Sequence, residues 1–231
     1  MKMRKHKNKL IFFSLILLFI LSLSTLSIYA WLTDTKEDLI PGNTSELIID
    51  YIVWFDQNEN GTYESGTDID ASTYYSGETD DNLKVIVLST GDETALNYIG
   101  KLRIQANITV EGSYYMRARF NHEWFMERTS RSSGLSTYNT INQSSENMMP
   151  YGLNAAWYYD TTSNYVYYSS TVTTSGTVSI VATPSLSSYK DFSNTTYITK
   201  YFAYLDFELE FVQSNRMTQI WNIDSIPVSG S

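Results

Sequence analysis

The sequence predicts an all-β domain, a jelly-roll-like β-sandwich, preceded by an N-terminal signal-peptide helix. Three observations carry this. Apolar and polar residues alternate with period two over 101–110, 114–124 and 201–213, the pattern of strands half buried on a core. Nineteen Tyr, ten Phe and five Trp sit among many Thr, residue types that suit a pleated surface. No long stretch after residue 30 carries helical spacing.

The 231 residues suffice for one domain with a real core, and no internal repeat divides them. The expected boundaries are 1–30 for the signal peptide, 31–42 for an extended lead, 43–225 for the sandwich and 226–231 for a tail. Lys2, Arg4, Lys5, Lys7 and Lys9 precede an apolar run from Leu10 to Leu23, and a more polar stretch ends at Ala30. A basic head, a short apolar span and a small residue make a secretory signal, cut between Ala30 and Trp31. The rival reading is a retained anchor, because Leu10 to Ala30 could reach across a bilayer. Both place the remainder outside the cell or at its surface by the Sec route, with the membrane touched only through the N-terminal segment.

Without the first thirty residues the chain has 11 basic against 25 acidic residues, a net charge of −14. So acidic a surface repels phosphate backbones, which argues against nucleic acid. With no Cys there is no disulfide, thiolate metal site or thiol nucleophile.

Leu47 to Phe55 is dense in β-branched and aromatic residues and reads as a strand. Asp56 to Asp70 is a polar loop turning at Asn60-Gly61, which suits a hairpin. Leu83 to Leu88 is a short strand. Leu102, Ile104, Ala106, Ile108 and Val110 share one face of the next. Tyr114 to Trp124 alternates again, and across Glu111-Gly112-Ser113 the two runs are expected to pair as a hairpin. Arg128 to Pro150 reads as a long surface insertion with a weak helical tendency at Ser144 to Met149. Ala156–Tyr159, Tyr165–Ser169 and Thr177–Ala182 are strands. Tyr201 to Gln213 sets Phe202, Tyr204, Asp206, Glu208 and Glu210 opposite Ala203, Leu205, Phe207, Leu209 and Phe211. Met217 to Ile223 is a short amphipathic tail.

Groups for chemistry are few. After residue 30 there is one His, His122, and Met126 stands where a zinc-binding helix would carry its second His. No nucleophile elbow accompanies it, so His122 is expected to be structural and the protein not an enzyme. Asp56, Asn58 and Asn60 followed by Gly61 resemble the first half of a calcium loop, with Glu64 and Asp68 as further oxygen ligands. The other reading is a plain polar turn. Trp157, Tyr158, Tyr159, Tyr165, Tyr167 and Tyr168 could stack on sugar rings or be cross-strand core pairs.

Four segments carry a family resemblance. Ala30-Trp31-Leu32-Thr33-Asp34-Thr35 resembles the export junction of the TasA/camelysin family, secreted fibre proteins of bacterial biofilms. Tyr115-Met116-Arg117-Ala118-Arg119-Phe120, the pair Trp157-Tyr158-Tyr159 with Tyr165-Val166-Tyr167-Tyr168, and Phe207 to Asn215 with Ile220-Trp221 resemble later segments, in the family's order. The resemblance implies a jelly roll, processing by a signal peptidase of the SipW type, and self-association into extracellular fibres by donor-strand complementation. The donor would be Trp31 to Ile40, anchored by Trp31, Leu32, Leu39 and Ile40. Asp34, Lys36, Glu37 and Asp38 limit how much of it can be buried. The physics is general: an open sheet edge templates another strand, and head-to-tail contacts that do not close make filaments. The alternative function is a monomeric or membrane-tethered surface module binding polysaccharide or a protein partner.

Overall fold

The computed structural model describes residues 47–76, 85–142 and 148–227. Thirteen antiparallel strands are found among them: β1 (Leu47–Phe55), β2 (Ile69–Asp70), β3 (Tyr75–Ser76), β4 (Val85–Ser89), β5 (Leu102–Val110), β6 (Tyr114–Ser130), β7 (Ser136–Ile141), β8 (Gly152–Leu153), β9 (Trp157–Asp160), β10 (Tyr165–Tyr168), β11 (Gly176–Thr183), β12 (Phe192–Ser193) and β13 (Tyr197–Gln213). One short α-helix, α1 (Met217–Trp221), follows β13.

The strands form two sheets. The first runs β2-β1-β5-β11-β8; the second runs β3-β4-β13-β6-β10-β9, with β7 added to β6 and β12 to β13. β6 and β13, 17 residues each, pair along their whole length from Tyr114↔Gln213 to Ser130↔Tyr197. The sheets share one core. Leu102, Ile104, Ala106 and Ile108 of β5 meet Met116, Ala118, Phe120 and Trp124 of β6 and Ala203 and Leu205 of β13, all at most 4% exposed. The alternation of each strand places these side chains inward, as the period-two pattern requires.

Two expectations need correction. β5 and β6 are not a hairpin. β5 pairs with β1 and β11 in one sheet and β6 with β13 in the other, so Glu111-Gly112-Ser113 carries the chain between sheets. Gly112 has a φ of 116°, a conformation side chains disfavour, and this allows the chain to turn over the sandwich edge while both inward faces stay in the core. The stretch expected as a surface insertion begins as strand. β6 continues to Ser130, turns at Gly134 (φ 69°) and returns as β7, whose Ser136–Thr129 to Ile141–Trp124 register closes a hairpin. Part of the weak helical stretch at 144–149 lies outside the described residues.

A second, smaller cluster lies on the outer face of the β6–β13 sheet. There α1 sets Met217 and Trp221 against Tyr167 and Val212. Asn222 ends the helix in the left-handed conformation, a common helix stop.

Candidate functional site

The feature with the clearest capacity to bind is the open side of the sandwich, where β1 and β13 each expose an edge. β4 pairs with β13 only from Phe202 to Leu205. Among the described residues, 206–213 have no strand on that side. β2 likewise covers only Trp54 and Phe55 of β1, leaving 47–53 unpaired on the outer side among the described residues.

The direction of the backbone groups follows from alternation. Thr90 N donates to Tyr201 O on the β4 side, whereas Ser214 N donates to Ser113 O toward β6. Odd-numbered residues of β13 therefore turn N–H and C=O to the open side, so Phe207, Leu209 and Phe211 present theirs there. In β1, Asp56 N donates to Lys101 O beside β5, so Leu47, Ile49, Tyr51 and Val53 face the other way. The same residues point their side chains inward, since Leu47, Ile49, Tyr51 and Val53 stand opposite Val110, Ile108, Ala106 and Ile104. The gap thus combines unpaired backbone with an apolar lining. Tyr51 is inward yet 50% exposed, and its ring meets Phe207 edge-on at 6.0 Å across the gap. Burial, with Tyr51 and Asp70 nearby, raises the Tyr75 hydroxyl above its ordinary pKa.

The strand expected to fill such a gap, with Trp31, Leu32, Leu39 and Ile40, and the cleavage junction Ala30-Trp31 lie outside the described residues. Sequence reasoning named Tyr51, Phe207, Leu209 and Phe211 as strand residues but not as edge residues. The signal for this was the mismatch between the long run at 201–213 and the short one at 83–88.

The Asp56–Asp68 loop folds over the outer face of β1 and covers Trp54, whose ring meets Tyr63 edge-on at 5.9 Å. Asp56 accepts from Asn60 N at 3.2 Å and Gly61 N at 2.9 Å, and Asp68 accepts from Gln57 N and Glu64 N. The amide ends of Asn58 and Asn60 lie 3.0 and 2.8 Å from the two Glu64 oxygens. Glu59, with φ 60°, and Gly61, with φ 75°, give the loop its tight turn. Arg103 Nε lies 3.2 Å from Asp56 Oδ2, and Arg103 Nη1 donates to the carbonyls of Gly100, Leu102 and Thr183. Burial lowers the Arg103 pKa, against the pull of Asp56, Glu59 and Asp68. The structure brings the five expected oxygen ligands into one loop. Among the described residues, no group of three or more His, Cys, Asp or Glu is placed to hold a metal ion.

The aromatic run at 157–168 divides. Trp157 is buried in the main core, its Nε1 donating to Ser179 O at 3.0 Å, and Tyr167 is buried in the smaller cluster beside Trp221, so neither ring is open to a sugar. Tyr158, Tyr159, Tyr165 and Tyr168 are half-buried. His122 lies in β6 on the inward face, half-buried, with Nδ1 3.3 Å from the Tyr151 hydroxyl. Burial drives the Tyr151 hydroxyl far above its ordinary pKa.

Among the described residues, no helix is long and apolar enough to cross a membrane. Comparison with family models, with curated proteins and with solved structures finds no match to this chain.

Proposed function

We propose that the protein is an exported structural subunit that assembles into extracellular fibres by strand donation. The observation that carries this reading is the pair of edges on one side of the sandwich that have no strand partner among the described residues, bridged by Tyr51 and Phe207. An edge with free N–H and C=O groups above an apolar lining is an acceptor for an extended segment: backbone bonds supply affinity, alternate side chains register. The donor is Trp31 to Ile40 of a neighbouring copy, freed by cleavage after Ala30 and seated through Trp31, Leu32, Leu39 and Ile40. Head-to-tail donation does not close, so it propagates. The resemblance to TasA/camelysin proteins supports the same reading, with a jelly-roll sandwich as the acceptor. The test is a chain lacking residues 31–40 but retaining the export signal. Monomers by electron microscopy and light scattering are expected; fibres from this variant would overturn donation by that segment.

Calcium at the Asp56–Asp68 loop is a second reading, favoured by one observation. The amide nitrogens of Asn58 and Asn60 lie 3.0 and 2.8 Å from the two oxygens of Glu64, which gathers three oxygen-bearing side chains at one point of the loop. Arg103 beside Asp56 opposes it. An upward shift of the melting midpoint in millimolar calcium, reversed by chelator, is expected; equal midpoints count against it.

A further inference from the structure

One end of the outer face of the second sheet is aromatic. Trp124 of β6 and Ala203 and Leu205 of β13 are buried in the core, so their neighbours Phe125, Phe202 and Tyr204 point outward. Phe202 stands opposite Phe125, and Tyr138 of β7, opposite Glu127, belongs to the same face. The four rings form one group. Phe125 lies 5.4 Å from Phe202 and 5.2 Å from Tyr204, Phe202 lies 5.6 Å from Tyr204, and Tyr138 reaches Phe202 at 6.4 Å. Phe125, Phe202 and Tyr204 are half-buried, and Tyr138 is 62% exposed.

The angles between the rings decide what suits them. Phe125 and Phe202 stack on each other at 16°, which spends one face of each. Tyr204 stands at 65° and 72° to that pair, and Tyr138 at 80° to Phe202. Rings set nearly perpendicular offer faces at an angle to one another, as in the aromatic cages that hold ammonium groups, and not the single flat platform on which a sugar ring lies.

Carboxylates border the group on the same face. Glu123 is exposed directly opposite Tyr204, and Asp206 follows Tyr204 outward along β13, accepting from the Asn121 amide at 3.4 Å. Neither has an ion-pair partner among the described residues. At the far side Glu127 accepts from the Tyr138 hydroxyl at 3.0 Å and stands opposite Lys200. The other end of this face shows the same combination completed. There the Arg117 guanidinium lies over Tyr165 and Trp221 and pairs with Glu210. Around Tyr204 the rings and carboxylates are present and the cation between them is not supplied by any described residue.

We infer that this face docks a partner protein through a lysine- or arginine-bearing segment, whose cationic heads lie against Tyr138 and Tyr204 and pair with Glu123 and Asp206. Charge complementarity carries the choice of partner. The chain without its first thirty residues has a net charge of −14, which draws a basic segment to the surface. The face is distinct from the β1 and β13 edges and does not depend on strand donation.

The test is a titration of the isotope-labelled full-length protein with a capped, alternating Lys-Gly octapeptide, followed by amide NMR shifts at physiological salt, where distant charges are screened. Saturable shifts are expected at residues 123–127, 138–140 and 202–206, with Kd of about 1 mM. Tyr138→Leu and Glu123→Gln each raise that Kd about threefold, the loss of a cation–π contact and of an exposed charge pair. Both positions are exposed, and the amide spectrum itself reports that each variant is folded. Asp50→Asn, which removes an equal charge from an exposed position of the other sheet, leaves Kd unchanged. Three results each overturn the assignment: no saturable shifts at these residues, a loss in Asp50→Asn equal to that in Glu123→Gln, or the same shifts produced as strongly by cellobiose, which would make the occupant a sugar.

Discussion

Tyr51 of β1 and Phe207 of β13 touch edge-on at 6.0 Å, an aromatic contact between the two edges that are exposed among the described residues. Tyr51 stands opposite Ala106 and Phe207 opposite Phe120, so each is backed by a paired strand on one side only. Half-exposed inward residues stabilise the isolated domain little, because their burial is incomplete. Tyr51→Asp is expected to cost under about 1 kcal/mol in denaturant unfolding. The same change places a charge in the acceptor gap, where an incoming strand would have to desolvate it. Fibre yield is expected to fall sharply at unchanged melting midpoint.

Backbone direction supplies a stricter test. The Tyr51 N–H faces the open edge and the Asp50 N–H faces β5. Proline at 51 removes a donor that no strand among the described residues accepts, and edge strands tolerate proline oriented in this way. Proline at 50 breaks a ladder bond and leaves a carbonyl of β5 unmatched, at a cost of about 1–3 kcal/mol. Tyr51→Pro is expected to stay folded and fail to polymerise, whereas Asp50→Pro loses stability before assembly is asked of it. Equal melting midpoints for the two variants would contradict the assigned edge.

Faces were legible in the sequence and partners were not. The alternation of Leu102, Ile104, Ala106, Ile108 and Val110, and that of residues 202–211, placed the inward side chains correctly, because side-chain direction depends only on the local pleat. Pairing is set by tertiary contacts. Two alternating runs joined by three residues look the same whether they lie in one sheet or arch between two, and Gly112 decides for the arch. β7 carried no apolar signal because Ser136–Ile141 is largely exposed on both faces, held by its ladder with β6. The open edges at 47–53 and 206–213 reflect where neighbouring strands stop, a property no single run of residues encodes.

Arg103 and Asp56 form an ion pair with side chains 3% and 0% exposed. Removing one partner leaves the other charge buried without compensation. Asp56→Asn or Arg103→Met is expected to destabilise by about 3–5 kcal/mol in denaturant unfolding. The double variant should recover part of that loss, since no bare charge remains. A double variant as unstable as the two single losses added together would mean that the pair contributes no coupling.

Acid sensitivity should be traceable to the β9–β10 turn. Asp160 accepts from Thr162 N and Ser163 N, and its hydrogen bonds with Ser163 and Thr162 hold its pKa below the ordinary aspartate value. A carboxyl depressed in the folded state contributes stability that is present above its unfolded pKa of about 3.9. That contribution is lost as pH falls through the folded value. Asp160→Ala is therefore expected to lower the melting midpoint at pH 7 and to narrow its difference from the parent protein below about pH 4. A constant difference across that range would assign the effect to packing instead of charge.

Arg117 lies between two rings on the outer face of the β6–β13 sheet, its guanidinium carbon 3.8 Å from the Tyr165 centroid and 4.4 Å from that of Trp221. Nε and Nη2 both donate to Glu210 Oε2, at 2.9 and 2.7 Å, while the Tyr165 hydroxyl donates to Oε1 at 2.9 Å. A planar cation stacked on two faces and forked onto one oxygen docks α1 against the sheet, where Trp221 packs with Tyr167. Lysine keeps the charge but offers neither the plane nor the fork. Arg117→Lys is expected to cost about 1–2 kcal/mol and to shift Trp221 emission to the red as the helix loosens. An unchanged midpoint and spectrum in this variant would show that a point charge opposite Glu210 is sufficient to hold the helix.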